Sequence, residues 1–289
     1  MERDVFSRCH PLTDFVYFFC AICFCAVVRH PMYLAAGFLA GLFYFLLLHG
    51  EAGMKKLPGM VPFLLVVAAL NPVLNPRGET LLFTLFGRPY TLEALVYGVV
   101  LAGMLGTMLV WFGCFSTVLT GEKIVYLFAP IAPALSLVLV MTMRLIPSFQ
   151  RKLARLAGAR RCIGFGLEEQ TRWRGKLRCG AALLASLTDW ALEGSIITAD
   201  AMRARGYGTG KRTHYRAYRL SARDGMLLGL TLGLSTAAVT FGGMQAEFLP
   251  SVSMERPGWG LVVYCLLLAL PVLAWGKEEL QWRLCIRRI

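Results

Sequence analysis

Long apolar runs, broken once by a large basic block, constrain this chain more than any other feature. Between Arg144 and Asp224 lie more than half of its 30 Lys and Arg residues, and charges at that density cannot sit in hydrocarbon. Outside the block, six stretches approach the ~20 apolar residues that a helix needs to cross a bilayer: 13–29, 32–49, 58–75, 92–117, 225–243 and 259–276. Composition narrows the class further, with 57% hydrophobic residues, a formal net charge of +13 and a mean hydropathy of +0.59. A soluble nucleic-acid binder can be this basic, but so much unburied apolar surface would aggregate. A polytopic membrane protein can be both, because its cytoplasmic loops collect Lys and Arg. The chain therefore reads as an all-α polytopic membrane protein with about six transmembrane helices and a cytoplasmic domain of long helices.

Charge asymmetry sets the expected topology. The positive-inside rule places the basic block in the cytoplasm with the Met1 to Arg8 end, the Lys55-Lys56 loop and the Arg287-Arg288 tail. A four-span region 1–117, a cytoplasmic region 118–224 and a two-span region 225–289 satisfy that rule. A seventh apolar segment, Ile124 to Ile146, would move the block outside if it crossed. It also carries Pro130 and Pro133 and runs into Arg144 without a turn signal, so it reads as helices lying against the cytoplasmic face. The connections Asn71 to Thr91 and Gln245 to Pro257 then fall outside, and the first, dense in turn formers, reads as a structured hairpin or loop. The N-terminus has charges of both signs and no small-residue cleavage pattern, so the first apolar run is expected to stay as a span.

Catalytic and metal chemistry find no footing. Cys20, Cys23, Cys25, Cys114 and Cys265 lie within apolar runs, where Cys acts as a small hydrophobe, and none of the nine cysteines falls in a paired zinc pattern. His10, His30, His49 and His214 are scattered. The stretch Gly206 to Thr213 imitates a phosphate-binding loop, but counting back from Gly210 the motif's first glycine position is Arg205, and Lys211 is followed by Arg212. No cofactor is expected, and Asp14 and Glu93 read as interfacial residues at span ends.

Two long helices are expected inside the basic block. One runs from about Ala134 to Arg161, with Arg151, Lys152 and Arg155 alternating against Phe149, Leu153 and Leu156. The other runs from about Trp173 to Arg205, with a stripe of Leu183, Leu184, Leu187, Ala191 and Ile196 opposite Asp189, Glu193 and Asp200, and with Gly206 as its stop. Each ends in a similar triplet, Ala159-Arg160-Arg161 and Ala204-Arg205-Gly206. Spacing alone fits docking to a protein and attraction to anionic headgroups equally well.

Several motifs together resemble the T component of the energy-coupling-factor transporters, the membrane scaffold of a class of ABC importers for vitamins and transition-metal ions. They are His10-Pro11 and His30-Pro31; Asn71-Pro72-Val73-Leu74-Asn75-Pro76-Arg77-Gly78 with Thr91-Leu92-Glu93-Ala94 and Tyr97-Gly98; Arg144-Leu145-Ile146-Pro147; and Ala201 to Gly208 followed by Lys211-Arg212-Thr213. The resemblance covers nearly the whole chain. It implies a bacterial inner-membrane subunit, itself not an enzyme, whose two triplets dock into two ATP-binding cassette ATPase subunits through Arg160 and Arg205. Arg144 and Pro147 would support the first arm, and a small substrate-binding membrane subunit would ride on the apolar faces. No nucleic-acid partner is implied. The family usually has Gly or Ser at the third position of the first triplet; Arg161 stands there, which leaves that helix without its glycine stop. Arg160 is taken as the docking residue, by register with Ala159. A secondary carrier would instead need ionisable residues or broken helices at mid-membrane. A lipid-binding anchor would tolerate Arg205→Lys.

Overall fold

The computed structural model describes residues 6, 9–55, 57–74, 80–85, 88–166, 168, 172–210, 218, 220–242, 246–247, 253–254 and 258–286. They form two compact units, one of Met1–Ile124 with Tyr218–Ile289 and one of Val125–Ala217. Lys56, Asn75 to Gly78, Lys211 to Thr213, most of Gln245 to Pro257 and the Arg287-Arg288 tail lie outside the described residues.

In the first unit the chain opens with α1 (Pro11–Val27) and α2 (Pro31–His49), then a short α3 (Glu51–Met54), a 3-10 turn (Leu57–Gly59) and α4 (Val61–Leu74). The two His-Pro pairs are helix starts. Proline at the first helical position gives up an N–H that has no partner there anyway, and the histidine ring accepts the next orphan donor. His10 Nδ1 accepts from Leu12 N and His30 Nδ1 from Met32 N, both at 3.2 Å. A β-hairpin follows, β1 (Leu81–Leu85) paired antiparallel with β2 (Arg88–Thr91), and leads into α5 (Leu92–Val118). After the second unit come α9 (Ala222–Thr240), a two-residue ribbon of β3 (Ala246–Glu247) and β4 (Ser253–Met254), and α10 (Trp259–Ile286). All six expected apolar stretches are thus helical. The chain is an all-α polytopic membrane protein, its only described strands being these two small ribbons.

Small residues decide how closely these helices approach, as is usual where lipid removes the hydrophobic drive. Gly37 and Gly41, one turn apart on α2, face α5. A Cβ on Gly41 would come within 2.7 Å of Trp111 Nε1 and one on Gly37 within 2.9 Å of the Tyr264 hydroxyl. The fully buried Trp111 donates Nε1–H to the Gly37 carbonyl at 3.0 Å. Around it Tyr17, Phe18 and Tyr44 complete an aromatic core.

Asn71 and Pro72 read as loop residues from sequence, yet both are buried in the last turn of α4. Pro72 cannot donate to the carbonyl of Ala68. That carbonyl instead faces Gly98 of α5, where a Cβ would come within 2.5 Å. Asn71 Nδ2 donates to the Ala94 carbonyl at 3.1 Å. The loop motif is therefore in part a helix-packing motif, and the hairpin follows it.

At one end of this unit the starts of α1 and α9 meet Lys123, five residues beyond the end of α5. Lys123 Nζ lies 2.7 Å from Asp14 Oδ2, with the two side chains 5% and 0% exposed. Asp224, in the first turn of α9, accepts from the backbone N–H of His10 at 3.4 Å and of Ser221 at 3.0 Å. Asp14, at the start of α1, is thus buried inside the protein, with an ammonium from 109 residues away in place of water. Glu93 is buried too and accepts the Thr80 hydroxyl at 2.6 Å.

The second unit is dominated by two helices. The short α6 (Gly121–Phe128) leads through a turn holding Pro130 to α7 (Pro133–Cys162), and α8 is Trp173–Ala204. Pro133 starts α7 and does not break it. The helices run antiparallel: Phe149 meets Trp190 edge to face at 5.6 Å, and Arg160 meets Cys179. Lys152 Nζ lies 5.6 Å from the Trp190 ring. The expected stripe on α8 divides, with Leu183 and Leu187 buried while Leu184 and Ile196 face outward. By length and composition α7 is one of four described helices able to cross a membrane, with α2, Leu57–Leu74 and α5.

Candidate functional site

The residues singled out in the basic block lie at the far ends of α7 and α8. On α8 the helix stops as expected. Arg205 is the C-cap, Gly206 takes φ +77, Gly206 N–H donates to the Arg203 carbonyl at 2.9 Å and Tyr207 N–H to the Met202 carbonyl at 3.0 Å. That pair of bonds is the Schellman closure, which needs a residue free to adopt positive φ. It leaves Arg205 exposed at the negative end of the helix dipole, where a cation is favoured, and its guanidinium has no polar partner among the described residues. Ala204 and Gly206 are exposed beside it.

On α7 the expected end is displaced. The helix continues past Arg161 to Cys162, and the stop is Gly164, with φ +73. Gly164 N–H donates to the Arg161 carbonyl at 3.1 Å and Phe165 N–H to the Arg160 carbonyl at 2.9 Å. The helix is therefore not without a glycine stop; it lies three residues beyond Arg161. The signal was legible, because Gly164-Phe165-Gly166 repeats Gly206-Tyr207-Gly208.

The later stop changes what the two arginines do. Arg160 turns back on its own unit, donating Nη1–H to the Cys179 carbonyl of α8 at 3.3 Å. Arg161 forms an ion pair with Glu168 while both side chains stay largely exposed. Together with Ala154, Ala157, Gly158, Cys179 and Leu183 they line a cleft of about 340 Å³. Ala159 is exposed on the opposite side of the same turn. Arg144 and Pro147 are exposed along α7, which carries Pro147 inside it without ending.

Antiparallel packing places the two ends apart. Arg160 stands level with Cys179, and Arg205 lies ~39 Å further along α8 at 1.5 Å per residue. The structure thus brings Arg160 and Arg161 together with Glu168 and sets Arg205 at the other end of the pair. Among the described residues no three His, Cys, Asp or Glu side chains are grouped to hold a metal ion.

No curated protein matches the chain. The family described as CbiQ, cobalt transport protein, matches residues 2–215, a stretch that contains both helix ends. The chain belongs to this transport protein family.

Proposed function

We propose that the chain is the membrane coupling subunit of an energy-coupling-factor importer in the bacterial cell membrane. Two ATPase subunits dock at the ends of α7 and α8, and a small substrate-binding membrane subunit rests on the exposed apolar faces of those helices. ATP hydrolysis takes place in the partners, and this chain transmits their closing movement. The cargo is a vitamin or a transition-metal ion, cobalt being the one in the family's description.

One observation carries this reading: Arg205 stands exposed at the capped end of a 32-residue helix. A guanidinium so placed is a ready fork for acceptors in a partner's cleft, where it makes several charge-assisted bonds. Exposed Val138, Met141, Leu184, Leu192, Ile196 and Ile197 on α7 and α8 supply an apolar surface for a membrane partner. Lys123 and Asp224 lie near Asp14 at one end of the first unit, which supports a topology with an even number of crossings between them. Were α7 to cross, α8 would have to cross back with Arg174, Lys176, Arg178, Asp189, Glu193 and Asp200 aboard, which is prohibitive. With the basic block inside, the N-terminus and the C-terminus are cytoplasmic as well.

Co-purification of the chain with its candidate ATPases from detergent tests the reading. Wild type is expected to retain them, Arg205→Ala to lose at least ~tenfold in affinity, and Arg205→Lys to recover little, because an ammonium lacks the planar fork. ATPases that never bind wild type, or that bind Arg205→Ala equally well, would overturn it.

A further inference from the structure

The two helix ends can be aligned by geometry as well as by the Ala-Arg triplet, and the two alignments disagree. Ile163 is the C-cap of α7 at φ −100 and ψ 13; Arg205 is the C-cap of α8 at φ −84 and ψ 7. Each precedes a positive-φ glycine, and each closure uses the same two backbone bonds. In this register Arg161 matches Arg203, Ile163 matches Arg205 and Phe165 matches Tyr207. Arg160 falls opposite Met202, a turn back from the tip.

We infer that Ile163, and not Arg160, holds at the end of α7 the position that Arg205 holds at the end of α8. This end seats Ile163 and Phe165 in an apolar groove on a second ATPase subunit, different from the subunit that receives Arg205. The inference rests on the proposed coupling role.

Two independent features support it. Ile163 is 68% exposed and Phe165 62% exposed. Two large apolar side chains exposed at the end of a helix in a basic unit mark a surface made to be covered. Arg160 and Arg161, meanwhile, are already engaged with Cys179 and Glu168. Arg160 is turned toward α8 and Arg161 toward the connection that precedes α8, so neither guanidinium projects from the tip as Arg205 does. A groove built for a guanidinium would leave its acceptors unpaired around isoleucine, which is costly, so one groove chemistry cannot serve both ends equally.

The test uses the full chain with its ATPases. A photo-crosslinking residue is placed at 163 or 205, and the adducts are identified by mass spectrometry. Crosslinks from the two positions to two different ATPase chains, with apolar residues captured from position 163, are the expected result. Affinity is then compared among variants. Ile163→Asp and Ile163→Arg are expected to weaken docking at least ~tenfold, while Arg160→Ala leaves it within about threefold. Ile163 is exposed, and an unchanged melting transition would show that its variants fold. Retained docking by Ile163→Asp with loss in Arg160→Ala would overturn the inference while leaving the coupling role intact. Tighter binding by Ile163→Arg would show an acceptor-lined groove and overturn it as well. Failure of wild type to bind any ATPase would remove the coupling role and this inference together.

Discussion

The two units bury their important side chains in opposite ways. In the first, Trp111, Tyr17, Tyr44 and Tyr264 face one another, glycines let helices touch, and the Asp14–Lys123 pair is sealed from solvent. In the second, α7 and α8 meet through a few contacts near Trp190 and Cys179, and most of their apolar side chains point outward. A self-sufficient bundle can anchor in lipid, whereas a sparsely packed helix pair gains by being covered. The contrast fits the coupling role proposed above.

The largest effect should come from the buried ion pair. Lys123→Met takes the ammonium from a carboxylate that is 0% exposed, and breaking such a pair costs about 3–5 kcal/mol. Detergent-solubilised protein should show it as a large fall in melting temperature, and Asp14→Leu combined with Lys123→Met should recover much of the loss. Equal stability of the single variant and wild type would mean that the first unit does not depend on this pair.

Glycine substitutions should then separate the units by sign. Gly41→Ala places a Cβ 2.7 Å from Trp111 Nε1, and overpacking of this kind costs about 1–3 kcal/mol. Gly180→Ala on α8 meets nothing within 4 Å and should stabilise by about 0.5–1 kcal/mol through helix propensity. Chemical denaturation of both variants checks this, and a shared sign would erase the contrast.

Trp190→Ala should loosen only the second unit. It removes an edge-to-face contact with Phe149, worth ~0.5–1.5 kcal/mol, and the Lys152 cation over the ring, worth ~0.5–1 kcal/mol. Faster proteolysis within residues 125–217, with an unchanged melting transition of the first unit, is the expected pattern.

The smallest effect is a pH dependence at Cys9, just before α1. Burial, then the carboxylates of Asp14 and Asp224, pushes its thiol from 9.0 up to about 12. Below the unfolded value both states keep the proton, so nothing is gained or lost. Between the two values only the unfolded chain releases it, and stability falls as pH rises. Melting curves across this alkaline window should decline more steeply for wild type than for Cys9→Ala. Cys9 should also react with maleimide more slowly than the exposed Cys162.

Much of the fold was legible because hydrocarbon and water sort residues so strongly. Apolar runs became helices within a few residues, and α7 and α8 begin and end close to their expected limits. Gly206 was readable as a stop because one residue type tolerates its backbone angle. The matching stop at Gly164 was missed because the triplet drew the comparison to arginine and away from the glycine that sets the geometry. Asn71-Pro72 read as a loop, since neither residue carries any local sign of a partner helix.

The sequence by itself determined the class, the apolar helices, the segregation of the basic block and the docking candidate Arg205. These depend on single residues or short runs, and local physics acts on those directly. Tertiary structure alone decided that Lys123 neutralises Asp14 and that Arg160 is bound back to α8. Each joins residues whose separation in the chain hides their contact, and that contact cannot be read from residue type.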